Sequence, residues 1–127
     1  MPIGYERDDT QRRIVATGEG TFLADDVLRI LEQMRADGIW TYGSLYDLRR
    51  MTGSPSASDL GRLMMSVAKS GPSGEHAGPM AVVATDPALY ARACAYKMLG
   101  PPGRFDIFSN RAEAEAWLAV QTTGPSA

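Results

Sequence analysis

Few side chains in this sequence are of types that do chemistry, and they are scattered. Asp47 stands inside an apolar run, GSLYDLRRMT, followed closely by Arg49 and Arg50. Just downstream, TGSPSAS places Gly53, Ser56 and Ser58 ahead of an amphipathic stretch. A serine there can cap a helix, and a phosphate on it would meet the helix N-terminus and a nearby guanidinium. Asp47 is either a ligand or raised-pKa base, or a carboxylate that orders the next loop by accepting backbone N–H bonds. The second reading is favoured, because buried carboxylates commonly persist through such bonding. The one histidine, His76, has only Glu75 beside it in a Gly-rich loop. No second His, Cys pair or carboxylate stands at metal-ligand spacing, so His76 is expected in solvent without a catalytic role. Cys94, among Ala and Tyr on a helical stretch, reads as an inert packed thiol. Gly18-Glu19-Gly20 and Gly100-Pro101-Pro102-Gly103 lack the spacing and Lys of a phosphate loop. No catalytic set, metal site or cofactor is expected.

A second group is apolar. Trp40, Tyr42, Tyr46, Met51, Met64 and Met65 crowd one region of a chain that holds seven methionines. Methionine refits to varied shapes, so with Asp47 these residues are expected to line a ligand pocket or border a partner surface, the alternative being ordinary core.

The elements that must position these residues follow from periodicity. A first strand is expected over 3–8 and a second over 12–18, paired as an antiparallel hairpin about the Asp8-Asp9-Thr10 turn. Gly18 and Gly20 are expected to break the second strand. Ala24 to Ala36 reads as a helix with Val27, Ile30, Leu31 and Met34 buried, Asp25 and Asp26 at its positive end and Gly38 as its stop. Ser44 to Leu48 is the central strand. A helix then begins near Ser58, with Leu60, Leu63, Met64 and Val67 on its buried face and Ser56 or Ser58 as cap. Residues 70–78 form a polar loop, 80–85 a strand covered on at least one face, and 87–99 a helix opened by Pro87. A strand over 104–108 precedes an Asn110-capped helix over 111–121, with Ala114, Trp117 and Leu118 buried. The remainder, 122–127, is expected to be a disordered tail beyond a single domain spanning 1–121. The order β-β-α-β-α-β-α-β-α implies an α/β fold with a mixed, mostly parallel sheet.

Composition bounds the function. The chain has 127 residues, 44% hydrophobic and 22% charged, as for one globular domain. A net charge of −2 gives no general reason to bind nucleic acid. No apolar run is long enough to span a membrane or to act as a signal peptide. One cysteine excludes an internal disulfide and fits a reducing, cytoplasmic setting.

LYDLR (45–49), AVVAT (81–85) and FDIFSNRAEAEAWL (105–118) together resemble the STAS-like proteins, typified by the sporulation anti-sigma factor antagonist (SpoIIAA-like). The likeness extends to the small STAS branch grouped with CRAL-TRIO lipid-binding domains. It implies about five strands with helices chiefly on one face, and a bacterial source. It also implies a phosphorylatable serine at the start of the second helix, at Ser56 or Ser58. Pro55-Ser56-Ala57-Ser58 stands where that family carries Asp-Ser-Ser-Gly. A non-enzymatic regulatory domain that binds a protein partner, or itself as a homodimer, is the expected function. The alternative is a carrier of a small apolar, lipid-like ligand. Gly53, the helix N-terminus and one of Arg49 or Arg50 are further expected to form a weak anion site.

Overall fold

The computed structural model describes residues 3–69, 74, 76–99 and 104–123, with the backbone alone for 122 and 123. The elements are β1 (Gly4–Asp8), β2 (Arg13–Thr21), α1 (Ala24–Ala36), β3 (Gly43–Thr52), α2 (Ala57–Ala68), β4 (Met80–Val83), α3 (Pro87–Leu99), β5 (Phe105–Phe108) and α4 (Arg111–Thr123). They form one five-stranded sheet in the order β1-β2-β3-β4-β5. β1 and β2 are antiparallel, and every other neighbouring pair is parallel. The expected mixed α/β sheet is thus observed. The tail expected at 122–127, most of the 70–78 loop and the GPPG stop at 100–103 lie wholly or mainly outside the described residues.

The sequential strand order fixes where the helices go. α1, α2 and α3 each connect two neighbouring parallel strands, and crossovers of one hand place their helices on one face. Val27, Ile30, Leu31 and Met34 of α1, Leu60 and Leu63 of α2, and Leu89 and Tyr96 of α3 all join one core. The sheet contributes Ile14, Ala16, Tyr46, Leu48, Val82 and Ala84 to it. α4 follows the last strand and closes no crossover. It folds back on the opposite face, where Ala114 and Leu118 meet Leu45, Ala81 and Val83. Covering both faces explains why MAVV shows no polar alternation. Self-association to cover a bare sheet face loses its motive, because α4 occupies the middle of that face.

Two strands differ from expectation for one reason. Neither Gly18 nor Gly20 ends β2, which pairs with β3 as far as Thr21. Between Thr17 and Glu19 on β2 the partners on β3 step from Asp47 to Arg50, so β3 carries one extra residue. That bulge resets the alternation and returns Met51 to the core side, 1% exposed. Gly18 is required by closeness: a Cβ there would lie 3.0 Å from Ile3 Cγ1 and 3.1 Å from Met51 Sδ. β3 therefore runs four residues past Leu48, and Arg49 and Arg50 belong to the sheet.

Candidate functional site

α2, α3 and α4 follow β3, β4 and β5, so their N-termini gather along the carboxyl ends of those strands. Each is capped from its own sequence. Ser56 Oγ accepts the Asp59 N–H at 3.0 Å while Asp59 Oδ2 accepts the Ser56 N–H at 3.2 Å, a reciprocal box. Asp86 Oδ2 accepts the Leu89 N–H at 3.0 Å, and Asn110 Oδ1 accepts the Glu113 N–H at 2.8 Å. Ser56 is thus the cap of α2. Ser58 lies inside the first turn, and the helix begins one residue earlier than expected, at Ala57. Both serines are exposed.

Asp47 lies on the α4 side of β3, 8% exposed. Its carboxylate takes a fork from Arg49, with Nε to Oδ1 at 2.9 Å and a terminal nitrogen to Oδ2 at 2.7 Å. It also accepts the Arg49 N–H at 3.3 Å, and Arg111 stands 3.7 Å away. The Arg49 hydrogen bonds hold the Asp47 carboxyl below its usual range against the opposing effect of burial. The role favoured from the sequence, ordering the next loop through backbone N–H bonds, is not the one observed: the single backbone donor among the described residues is Arg49, within β3 itself, and the main donor is the Arg49 guanidinium. The sign follows: a depressed folded pKa contributes stability above the unfolded carboxylate value of about 4, lost as pH falls through the folded one. Asp47→Asn is therefore expected to lose less of its urea midpoint than the parent when pH is lowered from neutral to about 3. Equal losses in the two proteins would exclude Asp47 as a contributor.

The cations assigned to an anion at the 53–58 loop are committed within the chain. Arg49 is held by Asp47, and Arg50, on the exposed side of the bulge, reaches Glu19 at 3.5 Å. Sequence reasoning missed Arg92 and Arg62, which come from elsewhere. Arg92 Nε donates to Ser54 Oγ at 3.3 Å, and Arg62 bridges Asp25 and Asp59 at 2.8 Å each. Gly53, at φ 141°, supplies the turn out of β3 and packs near Phe22.

The residues expected to line one pocket do not converge. Trp40 is buried beneath Arg35, whose guanidinium carbon lies 3.9 Å from the ring centroid. Tyr42 donates to Asp9 at 2.6 Å, near the hairpin turn. Asp47 faces α4, Met51 packs on Ile3 and Gly18, Met64 is half-buried and Met65 is 72% exposed. Their nearness in sequence is split by the alternation of β3 and by the turn of α2. A different apolar cleft lies between α2 and α3 above the sheet, with a cavity of about 60 Å³. Leu48, Leu60, Leu63, Val82 and Leu89 line it, together with Tyr46 and Tyr96. Tyr46 is 1% exposed, and its hydroxyl has no hydrogen-bond partner among the described residues. Desolvation raises its pKa, and that of Tyr96 is pushed up to about 12. Among the described residues no group of three His, Cys, Asp or Glu is placed to hold a metal, and His76 is exposed. No helix among them is long and apolar enough to cross a membrane.

No protein-family model matches the chain, and no curated protein matches it. Solved structures do. An uncharacterised protein of the DUF3478 family from Shewanella loihica PV-4, described as having a SpoIIAA-like fold, superposes with a TM-score of 0.59 at 20% identity, over 91% of each chain. The chain has the SpoIIAA-like fold. An anti-sigma factor antagonist from Mycobacterium paratuberculosis matches with a TM-score of 0.58 at 18% identity, over 92% of this chain and 94% of that one. The sequence-based expectation of a SpoIIAA-like fold is met.

Proposed function

We propose that this SpoIIAA-like chain is a non-enzymatic regulatory domain that acts by binding a protein partner. The observation that carries this reading is Ser56. Its hydroxyl is exposed at the cap of α2, at the carboxyl edge of the sheet, in a fold shared with an anti-sigma factor antagonist. A phosphate on Ser56 would sit against the first N–H groups of α2, within the region of Arg62 and Arg92. It would also meet Asp59, so modification would break the capping box and change the surface that a partner reads. The setting we propose is cytoplasmic. A second copy of the chain is one admissible partner, and sedimentation across micromolar concentrations tests it. For the switch, tagged parent and Ser56→Glu chains are expressed in the source cells and their bound proteins compared. A partner retained by the parent and reduced by the substitution supports the reading. Identical partner sets, with no phosphate on the Ser56 peptide in either growth or starvation, would remove the switch.

A second reading, a sensor of a small apolar ligand, rests on the α2–α3 cleft and the unpartnered Tyr46 hydroxyl. Native mass spectrometry of freshly purified protein tests for a retained molecule. In the ligand-free chain, Tyr46→Phe is expected to keep stability unchanged or raise it by about 1 kcal/mol, because a buried hydroxyl without a partner costs free energy. A loss larger than that, read from urea unfolding, would show that the hydroxyl is satisfied.

A further inference from the structure

Three guanidinium groups without an ion pair among the described residues lie at the opposite end of the sheet. Arg12, Arg13 and Arg104 wall a hollow of about 550 Å³ together with Thr10, Thr41 and Gln121. The three come from the hairpin turn, the first residue of β2 and the residue before β5. The parallel order of β2 to β5 brings their amino ends into one row, and the later part of α4 closes the side. None of the three makes an ion pair among the described residues.

Among the described residues no carboxylate lines the hollow. The described carboxylates nearest in sequence are used elsewhere: Asp8 accepts the Gln11 N–H at 3.0 Å, Asp9 accepts from Arg7 at 2.7 Å and Tyr42 at 2.6 Å, and Asp106 accepts from Lys97 at 2.8 Å. Arg12 is steered into place, donating to Thr41 Oγ1 at 3.2 Å with its guanidinium carbon 5.2 Å from the Tyr42 ring centroid. Arg104 donates to the Ala77 carbonyl. The Arg13 Nε is buried without a partner among the described residues. A guanidinium carries five N–H donors, so most of the donors here remain unused. Arg12 also holds φ at 53°, the one non-glycine residue with positive φ among those described. Glycine or asparagine takes that conformation at little cost, whereas arginine is strained in it.

We propose that this hollow binds a small multivalent oxyanion, a phosphomonoester or diphosphate group carried by a small molecule. Guanidinium forks match phosphate oxygens in pairs, and three of them around one space favour more than one negative charge. The volume falls within the roughly 300–1,000 Å³ of ordinary small-molecule sites. A net charge of −2 makes this a local positive field in an otherwise acidic chain.

The experiment is a titration of the full chain with inorganic pyrophosphate, followed by calorimetry and backbone amide NMR. Shifts are expected at residues 10–13, 41 and 104, with affinity falling as salt is raised. Arg104→Gln should weaken binding about tenfold or more, since hydrogen bonds between charged groups are the strong ones. Arg12→Gly is the informative partner variant. Glycine accepts the positive φ, so this chain should melt no lower than the parent while binding at least about tenfold more weakly. Undiminished affinity in the Arg12→Gly, Arg104→Gln double variant, or shifts confined to residues 53–60, would overturn the proposal. So would calorimetry that shows no binding at low salt.

Discussion

Truncating Trp40 to alanine is expected to lower the free energy of unfolding by about 3–5 kcal/mol, the range for removing a large buried ring. Trp40 is 2% exposed and is the largest fully buried side chain among the described residues. Its ring supports the Arg35 guanidinium at 3.9 Å, and Arg35 in turn donates to the Ser66 carbonyl near the end of α2. The Trp40 carbonyl also accepts the Gly78 N–H at 3.1 Å, which ties the α1–β3 connection to the approach of β4. Loss of the ring therefore leaves a cavity and removes the surface on which Arg35 rests. A single domain has roughly 5–15 kcal/mol in total, so this one change should take a large fraction of it. Urea unfolding followed by far-ultraviolet circular dichroism measures it. A cost under about 1 kcal/mol would mean that the ring is not packed as described.

Leu118→Ala should cost about 2–5 kcal/mol. Leu118 is fully buried, and with Ala114 it is what α4 places on Leu45, Ala81 and Val83. Its effect should be local in a second measurement: amide exchange in α4 should rise more than in α1. Val120, two residues on and 66% exposed, is the control, and Val120→Ala should stay within about 0.5 kcal/mol of the parent. If Leu118→Ala and Val120→Ala unfold alike, α4 does not seal that face.

These residues also show what was legible beforehand. α1 and α3 fall at the expected 24–36 and 87–99, because apolar spacing, Pro87 and Gly38 are local signals that local geometry obeys. The Asn110 cap is of the same kind. β3 ran past its expected end because Arg49 and Arg50 look like a loop, while the ladder to β2 is a property of two strands at once. The face that α4 covers was hidden for a related reason. An amphipathic helix announces an apolar side but not which surface it meets. The expected pocket does not form, because nearness in sequence is not nearness in space: β3 sends successive side chains to opposite faces. The arginine hollow joins positions 12, 13 and 104, and no spacing rule connects residues that far apart. The Tyr46 hydroxyl was invisible too, since an unpartnered atom is defined only by its surroundings.

The two-sided sheet has a consequence for the chain while it is being made. α1, α2 and α3 precede β5 in the sequence, so their face can assemble as the strands emerge from the ribosome. α4 comes after the whole sheet. Until its residues have left the exit tunnel, Leu45, Ala81 and Val83 present a bare apolar strip to whatever surrounds the ribosome. That interval exposes the nascent chain to its neighbours on a polysome and invites chaperone holding. A stop codon between Phe108 and Arg111 would make the interval permanent.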